Sequence, residues 1–75
     1  MTLDEFIEKF AAEFDDTAAE EFKANTEFKE LDEWSSLTAL AIISMIDDEM
    51  DIQITGADLR GSKTIEDLYN NVTAK

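Results

Sequence analysis

Seventy-five residues with a formal charge of −13 and no histidine, cysteine or proline describe one small domain, 1–75, whose core must come from helix packing alone. Without cysteine there are no disulfides. With histidine also missing, a typical structural zinc site and the Ser-His and Cys-His nucleophile pairs are excluded. So acidic a chain lacks the basic footprint that nucleic acid requires and is repelled by an anionic membrane, but it suits a partner with a basic patch.

The first helix opens on Thr2 and Glu5, spaced as a capping box. Leu3, Phe6, Ile7, Phe10, Ala11 and Phe14 follow at helical spacing as one apolar stripe, with Asp4, Glu5, Glu8, Lys9 and Glu13 on the other side. Residues 15–34 hold no sustained period. Phe22, Phe28 and Leu31 are expected to anchor this long connection over the core, and Glu20 and Glu21 suit a single helical turn.

A second helix is predicted over Ser36–Met50. At 100° per residue Ala39, Ile42, Ile43, Ile46 and Met50 fall on one side and are expected to be core. The other side carries Leu37, Leu40, Ala41, Ser44, Asp47 and Asp48, so its first half is apolar where water should be. A domain this small cannot readily enclose a helix all round, which makes this side a contact surface.

Ile52-Gln53-Ile54 reads as an extended connector that buries Ile54. Thr55 then caps a short third helix through Arg60, with Leu59 inward. Thr64, with Asp67 three residues on, caps a last helix whose stripe is Ile65, Leu68, Tyr69 and Val72. The expected fold is all-α: a small four-helix bundle of three main helices and one short one. No positively charged leader precedes an apolar run, and none of the apolar runs nears the roughly 20 residues that span a bilayer. A cytoplasmic monomer without membrane insertion is therefore expected.

From Glu30 to Leu59 the chain carries eight acids and no base. At the start of the second helix stands Glu33-Trp34-Ser35-Ser36-Leu37. On local physics alone Ser36 is a helix cap, a role that contributes about 1 kcal/mol. The site also suits a tethered phosphodiester, because free N–H groups and the helix dipole favour an anion there. Trp34 is either a packing anchor or a lid. The run Asp47-Asp48-Glu49-Met50-Asp51 lacks the alternating acids and central glycine of a calcium loop, so no metal site is assigned.

Taken together, Leu31, Ser36-Leu37, the acids Asp47, Asp48 and Glu49, Asp51-Ile52-Gln53-Ile54 and Thr64-Ile65-Glu66-Asp67-Leu68 resemble the acyl carrier protein family over roughly residues 28–72. The resemblance implies a non-enzymatic carrier. A phosphopantetheinyl transferase would attach 4′-phosphopantetheine, drawn from coenzyme A, to Ser36. Acyl groups would then ride as thioesters between enzymes of fatty-acid or related lipid and secondary-metabolite synthesis. The same resemblance gives Ser35, Leu37, Leu40, Ala41, Asp47 and Asp48 to docking of enzymes with basic patches. It gives Ile43, Ile46, Met50, Ile54, Leu59 and Leu68 to a cleft for the acyl chain, although plain core packing also accounts for these six.

The residue before the modified serine is usually aspartate in that family and is Ser35 here. Serine can take over the capping role, but one negative charge beside the attachment point is lost. A dedicated aminoacyl or peptidyl carrier, or an unmodified interaction module of the same shape, are the other readings the chain admits.

Overall fold

In the computed structural model, which describes residues 1–75, Thr2 opens the first helix with a reciprocal cap. The Thr2 hydroxyl accepts from the Glu5 N–H at 3.2 Å while the Glu5 carboxylate accepts from the Thr2 N–H at 2.9 Å. Helix α1 spans Leu3–Ala11, α2 Ser36–Met50, α3 Gly56–Arg60 and α4 Ile65–Thr73. There is no strand, and the fold is the all-α, four-helix arrangement predicted. Helix α1 packs on α4 and α2, and α3 packs on α2 and α4.

All five phenylalanines are buried, and Phe10 sits among the other four. Its ring centroid lies 6.3 Å from Phe6, 5.5 Å from Phe14, 6.1 Å from Phe22 and 5.4 Å from Phe28. Each such pair adds about 0.5–1.5 kcal/mol beyond simple burial. This cluster holds the long connection between α1 and α2 against the core, as the isolated aromatics predicted. Leu31 is only half-buried, so it anchors less than expected. The connection contains two 3₁₀ turns, Ala19–Glu21 and Phe28–Glu30; the first lies at the glutamates where a turn was expected.

Polar bonds complete the fastening. The Glu33 carboxylate accepts from the Asp16 N–H at 2.9 Å and from the Thr17 hydroxyl, closing the two ends of the loop. Further along, the N–H groups of Ile65 and Glu66 donate to the carbonyls of Thr26 and Ala24 at 3.1 and 3.0 Å. The loop thereby satisfies donors that the start of α4 would otherwise leave free. The α4 cap is the predicted one, with Thr64 and Asp67 exchanging two bonds of 3.1 Å.

Helix α2 departs from expectation on one flank. Ile42 and Ile46 are fully buried, but Ala39, Ile43 and Met50 are only half-buried, and Met45 joins the core instead. The end of α1 lies beside Met45, and the Lys9–Glu49 ion pair at 3.2 Å marks that contact. Ile43 instead borders an open hollow with Gln53 and Ile54 of the extended connector 51–55. That connector buries Ile54, as predicted.

Candidate functional site

The start of α2 is built by two adjacent serines with different jobs. Ser35, in extended backbone at φ −154°, is the cap. Its hydroxyl accepts from the Thr38 N–H at 3.4 Å, and the Thr38 hydroxyl accepts from the Ser35 N–H at 2.7 Å. Assigning the cap to Ser36 is therefore corrected: both serines suit the local pattern, but only Ser35 has the backbone a cap requires. Ser36 is the first helical residue, exposed. Its hydroxyl enters no hydrogen bond within the chain, and it stands at the positive end of a 15-residue helix.

Beside Ser36 lies an open hollow of about 330 Å³ lined by Trp34, Ser35, Ser36 and Ala39 from one side and Lys29, Gly56, Leu59 and Arg60 from the other. Two of the chain's six cations thus share this hollow with the exposed hydroxyl. Lys29 Nζ donates to the Arg60 carbonyl at 2.7 Å, which ties the loop to the end of α3. Trp34 is half-buried, with its ring 5.0 Å from Phe28 and 6.4 Å from Phe14. It is a packing anchor, and its remaining surface contributes to the wall of the hollow.

Sequence reasoning missed Lys29 and Arg60. The signal was present: they are the two residues that bound the base-free interval from Glu30 to Leu59. The fold brings the two ends of that interval together beside the serines.

Along the outer side of α2, Leu37 and Leu40 are 79% and 63% exposed. Ala41 is half-buried between them and the exposed Ser44, Asp47 and Asp48. The helix then ends at Asp51 in left-handed backbone, φ 54°. Four carboxylates crowd this negative end of the dipole, and only Glu49 has a cation partner. The surface is apolar near Ser36 and strongly negative two turns on.

The six positions assigned to an acyl cleft do not share one cavity. Ile43 and Ile54 line a hollow of about 250 Å³ with Leu40, Ser44, Asp47 and Gln53. Leu59 lines the hollow at Ser36 instead. Ile46 and Leu68 are fully buried in the core, and Met50 packs half-buried against it. The largest hollow, about 450 Å³ between α1 and the loop at Phe14 and Phe22, has no lining residue in common with the one at Ser36.

The carboxylates whose titration is shifted lie at structural ties. The Thr17 hydroxyl, followed by the N–H groups of Asp16, Thr17 and Asp15, holds Glu33 below the usual glutamate range against a smaller opposing effect of burial. Bonding from the Thr55 N–H does the same for Asp58, helped by Lys75 at 3.3 Å. No cluster of acids is arranged to hold a metal ion, and no helix is long and apolar enough to cross a membrane.

A phosphodiester suits the residues around Ser36: a free primary hydroxyl, a helix start and two cationic side chains at one hollow. The family model described as a phosphopantetheine attachment site matches residues 5–72, from the first turn of α1 to the last of α4. None of the curated proteins and none of the solved structures matches the chain significantly.

Proposed function

The chain belongs to the phosphopantetheine-attachment family, and we propose that Ser36 is the residue through which it is loaded. Members carry 4′-phosphopantetheine covalently and act as carriers rather than catalysts, with a phosphopantetheinyl transferase and biosynthetic enzymes as partners. Within that frame we read residues 1–75 as a single carrier domain of fatty-acid or related lipid and secondary-metabolite synthesis, working as a cytoplasmic monomer. The observation that carries the choice of Ser36 is its free, exposed hydroxyl at the first residue of α2, beside a Ser35 already engaged as cap.

The arm, when bound, supplies a terminal thiol on which acyl groups are held as thioesters. The chain's own residues do the rest. Ser36 provides the oxygen of attachment but has no histidine in the chain to activate it, so activation belongs to the transferase. Leu37, Leu40 and Ala41 offer an apolar contact beside the attachment point. Asp47 and Asp48 steer partners with basic patches toward it. Exposed ion pairs of this kind contribute roughly 0–1 kcal/mol each, so docking is weak and brief. A carrier that must visit several enzymes needs that brevity.

Ile43, Ile46, Met50, Ile54, Leu59 and Leu68 shelter a long acyl chain in this reading only if the bundle opens, since they share no cavity. That separation favours a second reading, a dedicated aminoacyl or peptidyl carrier whose cargo stays outside the core.

The test is intact mass after incubation with coenzyme A, Mg²⁺ and a broad-specificity transferase. One added phosphopantetheinyl group, retained in Ser35→Ala and lost in Ser36→Ala, is expected. Loss in Ser35→Ala alone, or no addition with several transferases, would overturn the assignment.

A further inference from the structure

We infer that Lys29 and Arg60 form an anion seat that holds the phosphodiester of the arm against the α3 side of the hollow. This inference rests on Ser36 as the loaded residue. The chain has 19 acids against six bases, yet only two of those bases pair with a carboxylate. Lys9 pairs with Glu49 and Lys75 with Asp58; Lys23, Lys29, Arg60 and Lys63 pair with no acid. Of these four, Lys29 and Arg60 line the hollow that contains Ser36.

The geometry prepares them for an anion. Lys29 spends one of its three donors on the Arg60 carbonyl at 2.7 Å, which fixes the ammonium group and leaves two donors free. The Arg60 side chain folds back over the start of α3. Its Nη1 would stand 3.1 Å from a Cβ placed on Gly56, so glycine at that position makes room for the guanidinium. Neighbouring wall residues Trp34, Ala39 and Leu59 are apolar or small and supply no competing carboxylate. A phosphodiester carries one negative charge and two free oxygens, which a lysine and an arginine together can satisfy.

The consequence is directional. An arm held here leaves Ser36 toward Leu59 and Trp34, away from the exposed Leu37 and Leu40. Partner enzymes would then dock on one side of α2 while the arm rests on the other, and a basic partner surface would not have to displace it to make contact. Ser35 in place of an acid beside the attachment point fits the same purpose, because a carboxylate there would repel the diester.

The experiment compares unloaded and loaded forms of the full chain, parent and Lys29→Gln/Arg60→Gln, by thermal melting and by the ³¹P resonance of the loaded protein. Loading is first verified by intact mass. In the parent, loading is expected to raise the Tm by a few degrees at low salt, with the gain shrinking as salt is added. The gain should vanish in the double variant, whose ³¹P line should shift and narrow. Lys29→Arg/Arg60→Lys should restore both. Comparing loaded with unloaded for each variant removes any cost of the lost Lys29–Arg60 bond.

Equal Tm gains and equal ³¹P lines in parent and double variant would overturn the seat while leaving Ser36 as the loaded residue. So would a double variant that loads more slowly yet shows the parent's ³¹P line once loaded; its cations would then meet only the incoming coenzyme A. No added mass on the parent would overturn the reading of Ser36 and the seat with it.

Discussion

Asp51 ends α2 in the left-handed region at φ 54°, ψ 39°, the only non-glycine residue in the chain with positive φ. Glycine is the usual choice there. An L-residue in that conformation costs roughly 1–2 kcal/mol, somewhat less for aspartate, whose short polar side chain tolerates it. The charge is also misplaced: a carboxylate at a helix C-terminus opposes the dipole by about 0.3–1 kcal/mol at low salt. The Asp51 side chain is exposed and makes no hydrogen bond or ion pair, so removing it forfeits no contact. Glycine adds freedom to the unfolded chain, an opposing effect of about 0.5–1 kcal/mol. Asp51→Gly should therefore stabilise by about 0.5–1.5 kcal/mol. At roughly 4–8 °C per kcal/mol for a domain of this size, the Tm should rise by about 2–12 °C.

Asp51→Asn separates the two causes. Asparagine keeps the left-handed tolerance and removes only the charge, so its gain should be the smaller one, about 0.3–1 kcal/mol, and should fade as salt screens the dipole. The difference between glycine and asparagine should survive high salt, since backbone strain is not screened. Urea melts of the three proteins at low and high NaCl make the measurement. Asp51→Gly no more stable than Asp51→Asn at high salt would refute the strain argument. Neither variant exceeding the parent at low salt would refute the charge argument.

Three further outcomes follow from the same packing and electrostatics. Phe10→Ala empties the centre of the aromatic cluster and should cost about 3–5 kcal/mol; set against the roughly 5–15 kcal/mol of a native domain, the urea midpoint should fall by about a fifth or more, and a loss under about 1 kcal/mol would mean the cluster is not the keystone. Leu37→Ala and Leu40→Ala should change stability by less than about 0.5 kcal/mol, being surface substitutions, yet raise the transferase KM severalfold. An unchanged KM for both would remove the apolar contact from the docking surface. Glu33 is held below the ordinary value of 4.5 by Thr17 and its neighbours, so its stabilisation is full above that pH and is lost as pH falls through the lower folded value. The Tm difference between parent and Glu33→Gln should accordingly be flat from neutral pH down to about 5 and shrink in more acidic buffer. A difference that grows on acidification would reverse the sign of that tie.

What could be read from the chain and what could not divides by distance along it. Caps need residues three apart, so Thr2 with Glu5 and Thr64 with Asp67 located two helix starts directly. The two serines defeated the same rule, because adjacent hydroxyls satisfy it equally and only the backbone at Ser35 decides. Met45 was missed because the wheel assigns a core face to α2 without knowing where α1 will lie. Lys29 and Arg60 stand 31 residues apart in the chain. Burial of Phe28 on one side and Leu59 on the other sets them together, and neither event is written in local pattern.

The distribution of broken rules is itself informative. Helix α1 has acids in its first turn and a base in its last, α3 follows the same order, and α4 begins with Glu66 and Asp67. Helix α2 reverses it, with no acid at its start and carboxylates crowded at its end. It also exposes the two leucines and ends on the strained Asp51. Each violation lowers stability by a fraction of a kcal/mol to about 2 kcal/mol, and burial of Ile42, Met45 and Ile46 offsets them together. Scattered at random, such faults would fall on every helix. Their confinement to α2 follows if this helix is shaped by what binds it: a positive start left free for an anion, an apolar turn left bare for a partner, and a negative end left unpaired to attract one.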